Sequence, residues 1–442
     1  MAVAGDTPAW RAWIALLILC LVGLLGASSG ALLSILVEPI KTSLALSDTA
    51  IGLITGLAIA GVSAVAAFPI GAAADRFGRR RVLALCMIAW SAGTALMGAA
   101  PTSAVLVAGV VGINLGDAAL LPMLYAMVPA LFSDRHRHLA NSLLVATLVM
   151  GSYAVYGLAG LLLGFFERTG FAGLEPWRAV CLAVAGLGAL LAALLVAIPA
   201  VASKAGGKIV TPGLTQADFA GFLRAEGRTI LLTFIATSIY YSGFGLILFW
   251  APAILERRFG LTTAAANVAL GFPLAAASGV GLLLASAILW RFAGRWGSSA
   301  GLRLMQIGCA IAVPFAAALP FAANERQFVA LMIALSICFA VCLALVPLVL
   351  QNCAPDRFRS RTIALFPVVA LAFRILFPGL AGHLSARAGE SGSALTAIVA
   401  AIFGASLVVS IILLQLVREH YGRLADRVAR EETLPETAPA MW

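Results

Sequence analysis

The chain has 442 residues, of which 62% are hydrophobic and only 11% charged, with a formal net charge of +10. Soluble globular domains carry about 45–50% apolar and about 25% charged residues, so this composition excludes an ordinary soluble domain. The basic excess does not point to nucleic acid either, because its arginines and lysines recur in alternate short loops rather than forming one basic face.

Read in chain order, apolar runs of the length that crosses a bilayer follow one another from Trp10 almost to Val417. The first, Trp13 to Val37, is too long for the apolar core of a cleavable leader and leads straight into the next. Polar breaks predict twelve spans near 12–38, 49–74, 82–100, 102–132, 139–165, 176–201, 229–255, 263–290, 300–322, 326–352, 361–386 and 391–417. The interval 202–228 is the longest polar break. It predicts an N-terminal six-helix bundle (1–201), a cytoplasmic linker (202–228), a C-terminal six-helix bundle (229–417) and a cytoplasmic tail (418–442). The tail opens as a basic helix (Arg423, Arg427, Arg430) and is expected to fray on the membrane surface.

With both termini cytoplasmic, 21 of the 29 Lys and Arg fall on the inner side, 7 on the outer side, and Arg374 inside a span. The positive-inside rule therefore predicts a multi-pass inner-membrane protein in that orientation. The seven cysteines form no CxxC pair and read as small core residues, so no disulfide framework or metal site is expected.

The loop after span 2 reads Gly71-Ala-Ala-Ala-Asp75-Arg76-Phe-Gly78-Arg79-Arg80. A glycine, three residues, Asp-Arg, a spacer, then Gly and two basic residues resembles the signature of the major facilitator superfamily. Here Gly71 would allow close helix approach, Asp75 would accept hydrogen bonds from helix ends or arginines, and the basic cluster would anchor the inner side. The resemblance implies twelve helices in two six-helix bundles that rock about a central cavity, with Gly71, Asp75, Arg76, Gly78, Arg79 and Arg80 as a gate.

Further pieces, Leu46-Ser47-Asp48 with Ile51-Gly52, Trp90-Ser91, Gly116-Asp117 through Pro122, and Trp177-Arg178, are similar to the spinster-like branch. That likeness implies a lipid-like or organic anionic solute. Several positions depart from the branch pattern. Ser29 and Gly30 stand where its span 1 has an Asp-Arg pair, Val110 replaces an arginine, and Asp117 replaces a glutamate. Trp290 stands where a second gate motif would have aspartate. Gly151, Gly160 and Gly164 match the antiporter spacing of span 5, but its Gly-Pro element is replaced by Gly164-Phe165.

Two ionisable residues fall mid-span, where each costs about 2.5–3.5 kcal/mol on insertion scales and marks a functional candidate. Asp117 in span 4 is the candidate proton carrier, neutral when protonated and charged when a cation approaches. Arg374 in span 11, near Pro367, Pro378 and Gly379, is the candidate anion receptor. Asn114 lies one turn before Asp117 and Tyr125 two turns after it. On span 7, Thr233, Thr237, Tyr240 and Phe244 share one face with Tyr241 beside them, a pattern suited to an amphipathic cavity wall. The candidate solute contacts are thus Arg374, Asn114, Tyr125, Thr237, Tyr240 and Tyr241.

No phosphate-binding loop and no HExxH motif occur, and no cofactor or enzymatic activity is expected. The sequence predicts a monomeric secondary transporter of a small organic solute, anionic or amphipathic, with protons as the coupling ion and membrane lipid as its surroundings. An uncoupled facilitator of the same solute, or a non-transporting sensor that keeps the fold, are the alternatives.

Overall fold

The computed structural model describes residues 9–132, 134–197 and 216–433. Among them, twelve helices are long and apolar enough to cross a membrane. Spans 1 to 6 are Trp10–Ala27, Asp48–Phe77, Arg79–Gly98, Ser103–Pro129, His136–Thr169 and Pro176–Val196. Spans 7 to 12 are Asp218–Phe259, Thr263–Phe292, Ala300–Phe321, Glu325–Gln351, Arg361–Arg387 and Gly392–Arg430. Each overlaps a predicted span, although the first ends at Ala27, short of the predicted 38.

Prolines decide where three spans break. A proline ring collides with the carbonyl four residues earlier and offers no N–H to it, but it is tolerated in a helix's first turn. Pro39 acts on Ile35, where the helix Ala31–Ile35 ends. Pro122 acts on Ala118, just after the helix Ser103–Asp117 ends and before Leu120–Leu131 begins. Pro367 acts on Ile363, the last residue of the helix Asp356–Ile363, and Phe366–Arg387 follows. Span 1 has an additional turn over residues 28–30, where the Ser28 hydroxyl donates to the Leu25 carbonyl at 2.6 Å.

The chain divides into two compact units. The first contains residues up to Gly207 together with Phe249–Ala275 and Pro378–Gly392, which are the end of span 7, the start of span 8 and the end of span 11. Small residues set its closest crossings, as expected where apolar lipid gives helices no hydrophobic reason to associate. A Cβ at Gly271 of span 8 would lie 2.0 Å from the Gly157 nitrogen of span 5, and one at Gly160 would lie 2.7 Å from the Ala264 carbonyl. The span 5 glycines at 157 and 160 are therefore packing residues. Polar groups at the bend in span 1, a carbonyl and a hydroxyl, also find partners. Asn267 Nδ2 donates to the Ile35 carbonyl at 3.0 Å, and Tyr156 Oη donates to Ser34 Oγ at 3.2 Å.

The second unit holds Lys208–Leu248, Ala276–Phe377 and Ser393–Trp442. Two of its helices outrun the predicted spans. One runs Gln216–Phe259, so the described part of the expected linker, residues 216–228, is a helical extension of span 7. The other runs Gly392–Thr433, so the tail does not fray over its first sixteen residues. Hydropathy stops at the first charges, whereas Arg, Glu, Leu and Ala continue a helix well. Packing holds both extensions: Phe222 stacks on Phe358 at 5.1 Å, and Tyr421, Leu424, Ala425 and Val428 are buried. The Tyr421 hydroxyl donates to the Val349 carbonyl at 3.1 Å, and Arg427 pairs with Glu226 at 2.5 Å. The remaining part of the expected linker, and the tail beyond residue 433, lie outside the described residues.

Candidate functional site

In the first unit, the break made by Pro122 leaves Asp117 as the last residue of its helical segment, half-buried in the middle of span 4. Its carboxylate faces span 1, where a Cβ at Gly26 would lie 3.0 Å from Oδ1. Glycine there is what lets the two backbones approach with a carboxylate between them. The turn of span 1 follows immediately. Ser29 is buried in that turn and accepts a hydrogen bond from Trp90 Nε1 of span 3 at 2.7 Å. Two interrupted helices thus meet at an ionisable group, the arrangement in which transporters expose helix-end backbone to ions and solute.

The neighbours of Asp117 separate by exposure. Asn114 is buried, with its amide nitrogen on the Val110 carbonyl at 2.8 Å and its oxygen 3.4 Å from Ser63 Oγ. Tyr125 is exposed. Asn114 therefore supports the helix in this conformation, while Tyr125 offers an open surface.

In the second unit, Arg374 is exposed and makes no hydrogen bond or ion pair among the described residues. The face of span 7 predicted to line a cavity is instead a buried seam, with Thr233, Thr237, Tyr240 and Phe244 all enclosed. The Thr237 hydroxyl donates to its own helix at the Thr233 carbonyl, 2.8 Å away. Phe244 stacks on Phe339 of span 10 at 4.0 Å, and Tyr240 and Tyr241 sit 5.6 and 5.7 Å from the same ring. Tyr241 is the exposed member of that cluster. The helical period grouped the right residues but could not say whether their common face met solvent or protein.

At the loop after span 2, Gly78 adopts φ +93°, a conformation open to glycine, and ends one helix where the next begins at Arg79. Arg79 turns back to Asp75 at 3.7 Å and donates to the Ala126 carbonyl of span 4 at 3.3 Å. Asp75 is mostly exposed, and Arg76 lies over the Phe77 ring at 5.3 Å. Arg80 also has an interaction partner. The close helix approach expected at Gly71 is not made, since a Cβ there would meet nothing within 4 Å. The tight glycine of span 2 is Gly52, whose Cβ would lie 2.3 Å from the Pro378 carbonyl of span 11.

A second ionic group was not singled out by the sequence as a site. Asp48, at the start of span 2, is wholly buried and receives Lys41, the Ser385 hydroxyl at 2.5 Å, and the Arg257 guanidinium at 2.6 and 2.8 Å. These residues are scattered over more than three hundred positions and individually read as loop charges. The one available signal was Asp48 within the Leu46-Ser47-Asp48 motif.

Comparison with known proteins places this architecture. The family model of the Major Facilitator Superfamily matches residues 18–297. An MFS-type efflux pump of Mycolicibacterium smegmatis is 28% identical over 378 residues, covering 85% of each chain. The fold is similar to that of a bacterial homologue of the human lysosomal transporter Spinster, with TM-score 0.74 and 21% identity over 98% of this chain and 100% of that one. It is also similar to a D-xylose–proton symporter, with TM-score 0.69 and 18% identity over 90% and 96% of the two chains. With twelve spans in place and more than half its length matched by the family model, the chain belongs to the Major Facilitator Superfamily and is a multi-pass membrane transporter rather than an enzyme.

Proposed function

We propose that the chain is an alternating-access transporter of a small organic solute, anionic or amphipathic, in which Asp117 takes up and releases a proton. The observation that carries this reading is the Asp117 carboxylate between the break of span 4 and Gly26 of span 1. A carboxyl at that place changes its charge when its surroundings change between water and helix backbone. Arg374 receives the anionic group of the solute through its planar set of donors. Tyr125 and Tyr241 supply exposed aromatic surface for the apolar part. The relative named as an efflux pump supports export as the direction, and the symporter of like fold supports proton coupling.

Two six-helix bundles with both termini cytoplasmic complete the proposal; the distribution of Lys and Arg supports that orientation. The Gly71 to Arg80 segment, helical except at Gly78, then gates the cytoplasmic side, Arg79 bridging Asp75 to the Ala126 carbonyl. An uncoupled facilitator is the second reading, favoured by Ser29 standing in the place of a charged residue and being occupied by Trp90.

Purified protein in proteoliposomes tests both. A panel of organic anions and lysolipids is applied and proton flux is followed. Solute-dependent proton flux that disappears in Asp117→Asn is the expected result. Solute movement of equal rate in Asp117→Asn, without proton flux, would leave the facilitator standing.

A further inference from the structure

We propose that Asp48 is the keystone of a reversible charge latch that holds together the ends of spans 1, 2, 7 and 11. Its opening is then a required step in each transport cycle. All of its members lie in the first compact unit.

The geometry is that of a closed ionic network. Arg257 sits fork-on-fork against both carboxylate oxygens of Asp48, and also donates to Glu38 at 2.6 and 2.8 Å. Lys41 binds Asp48 and reaches Glu390 at 2.7 Å. Glu390 in turn accepts the Asp48 backbone N–H at 2.8 Å, and Arg257 meets the Glu390 carbonyl at 3.3 Å. The Arg257 guanidinium also lies over the Trp250 ring at 5.8 Å. Glu256 is beside the network, with Thr263 donating to it at 2.6 Å.

Beneath these charges two helices touch without side chains between them. A Cβ at Gly52 would lie 2.3 Å from the Pro378 carbonyl, and one at Gly382 would lie 2.2 Å from the Asp48 carbonyl. Spans 2 and 11 are thus pressed backbone to backbone, and the ion network closes over that contact.

Burying charges is a poor way to gain stability, because desolvation offsets most of the attraction and apolar residues of similar volume often do as well. It is, however, a good way to make a contact that can part. Apolar surfaces resist separation in water, whereas each of these carboxylates and cations is rehydrated when the ends move apart. Two cations against Asp48, Glu38 and Glu390 leave one negative charge in excess, which favours hydration further. Two discrete arrangements, one paired and one hydrated, are what a bistable element requires.

The test is independent of solute identity and of membrane orientation. Ala381, fully buried beside Gly382, is replaced by cysteine, and its reaction with a water-soluble charged maleimide is timed in detergent-purified full-length protein. The protein without Ala381→Cys corrects for native thiols, and the native, fully buried Cys181 is the internal control. Adding Asp48→Asn should speed labelling at residue 381 at least tenfold and leave Cys181 unreactive. If Asp48→Asn cannot be purified, Arg257→Lys, which keeps the charge but loses the fork, should give at least a threefold increase. Unchanged labelling in a folded variant would overturn the latch, and so would equal increases at residue 381 and Cys181, which report general loosening. The inference rests on transport by alternating access. A panel of organic anions that all fail to move would overturn the solute assignment and leave the labelling result untouched.

Discussion

The Asp117 carboxylate rests against Gly26 so closely that a Cβ there would sit 3.0 Å from Oδ1, inside the 3.5–4.0 Å at which nonbonded carbons make their best contact. The same Cβ would meet Leu120 side-chain carbons at 3.0 and 3.1 Å. Gly26→Val should therefore push the carboxylate from its place or desolvate it. We expect solute-driven flux to fall at least tenfold, because the carboxylate can no longer hold its place against span 1. Gly30 offers a matched control, since a Cβ there would meet nothing within 4 Å. Gly30→Ala should keep most of the flux, and initial rates check both.

The extension of span 12 is the second place where a specific contact makes a specific prediction. Tyr421 is fully buried and its hydroxyl donates to the Val349 carbonyl at 3.1 Å. Tyr421→Phe removes one hydrogen bond and should cost about 0.5–1.5 kcal/mol. Tyr421→Ala empties an aromatic-sized space and should cost about 3–5 kcal/mol. Thermal unfolding in detergent, followed by intrinsic fluorescence, ranks the two. A tail that only lay on the membrane surface would show no difference between them.

These elements differ in how far the sequence discloses them, and the reason is physical. Twelve spans are legible because crossing a bilayer demands a long apolar run, and little else in a protein produces one. The breaks in spans 1, 4 and 11 were legible in principle, since Pro39, Pro122 and Pro367 each act on a carbonyl four residues back. Which face of a helix is enclosed was not legible for span 7, where the Thr233–Tyr240 face is apolar enough to suit a core or a cavity. The Asp48 network was hidden because Lys41, Asp48, Arg257 and Glu390 come from four segments, and each alone resembles a solvated loop charge.

Glu175, before span 6, provides a pH-dependent element outside the spans. Arg178 donates to it at 2.8 Å, Ser43 at 2.8 Å and Trp177 at 3.1 Å. Hydrogen bonds from Arg178 first and Ser43 next hold its carboxyl below the usual carboxylate range. A depressed folded-state value means the contribution to stability is present above the unfolded value, about pH 4.3, and is lost as pH falls through the lower folded value. Glu175→Gln should thus lower the unfolding temperature slightly at pH 7, and the gap to the unmodified protein should close in acid. A gap that widened in acid would reverse the sign of this argument. The exposed position of Glu175 keeps the effect small.

Pro122 separates the cost of a broken helix from its use. Its ring keeps the carbonyl of Ala118 from an ordinary helical partner, and so fixes the end of the segment that presents Asp117. Pro122→Ala restores an N–H that can bond that carbonyl and lets Ser103 to Leu131 run as one helix. Continuous hydrogen bonding should hold or raise the unfolding temperature. The same repair rotates and buries the backbone beside Asp117 and removes the helix end that faces Gly26 of span 1. Flux should then fall at least fivefold while stability does not, a pair of changes in opposite directions that damage to folding cannot produce. If Pro122→Ala instead transports normally, the interruption of span 4 is a packing feature and Asp117 acts without it.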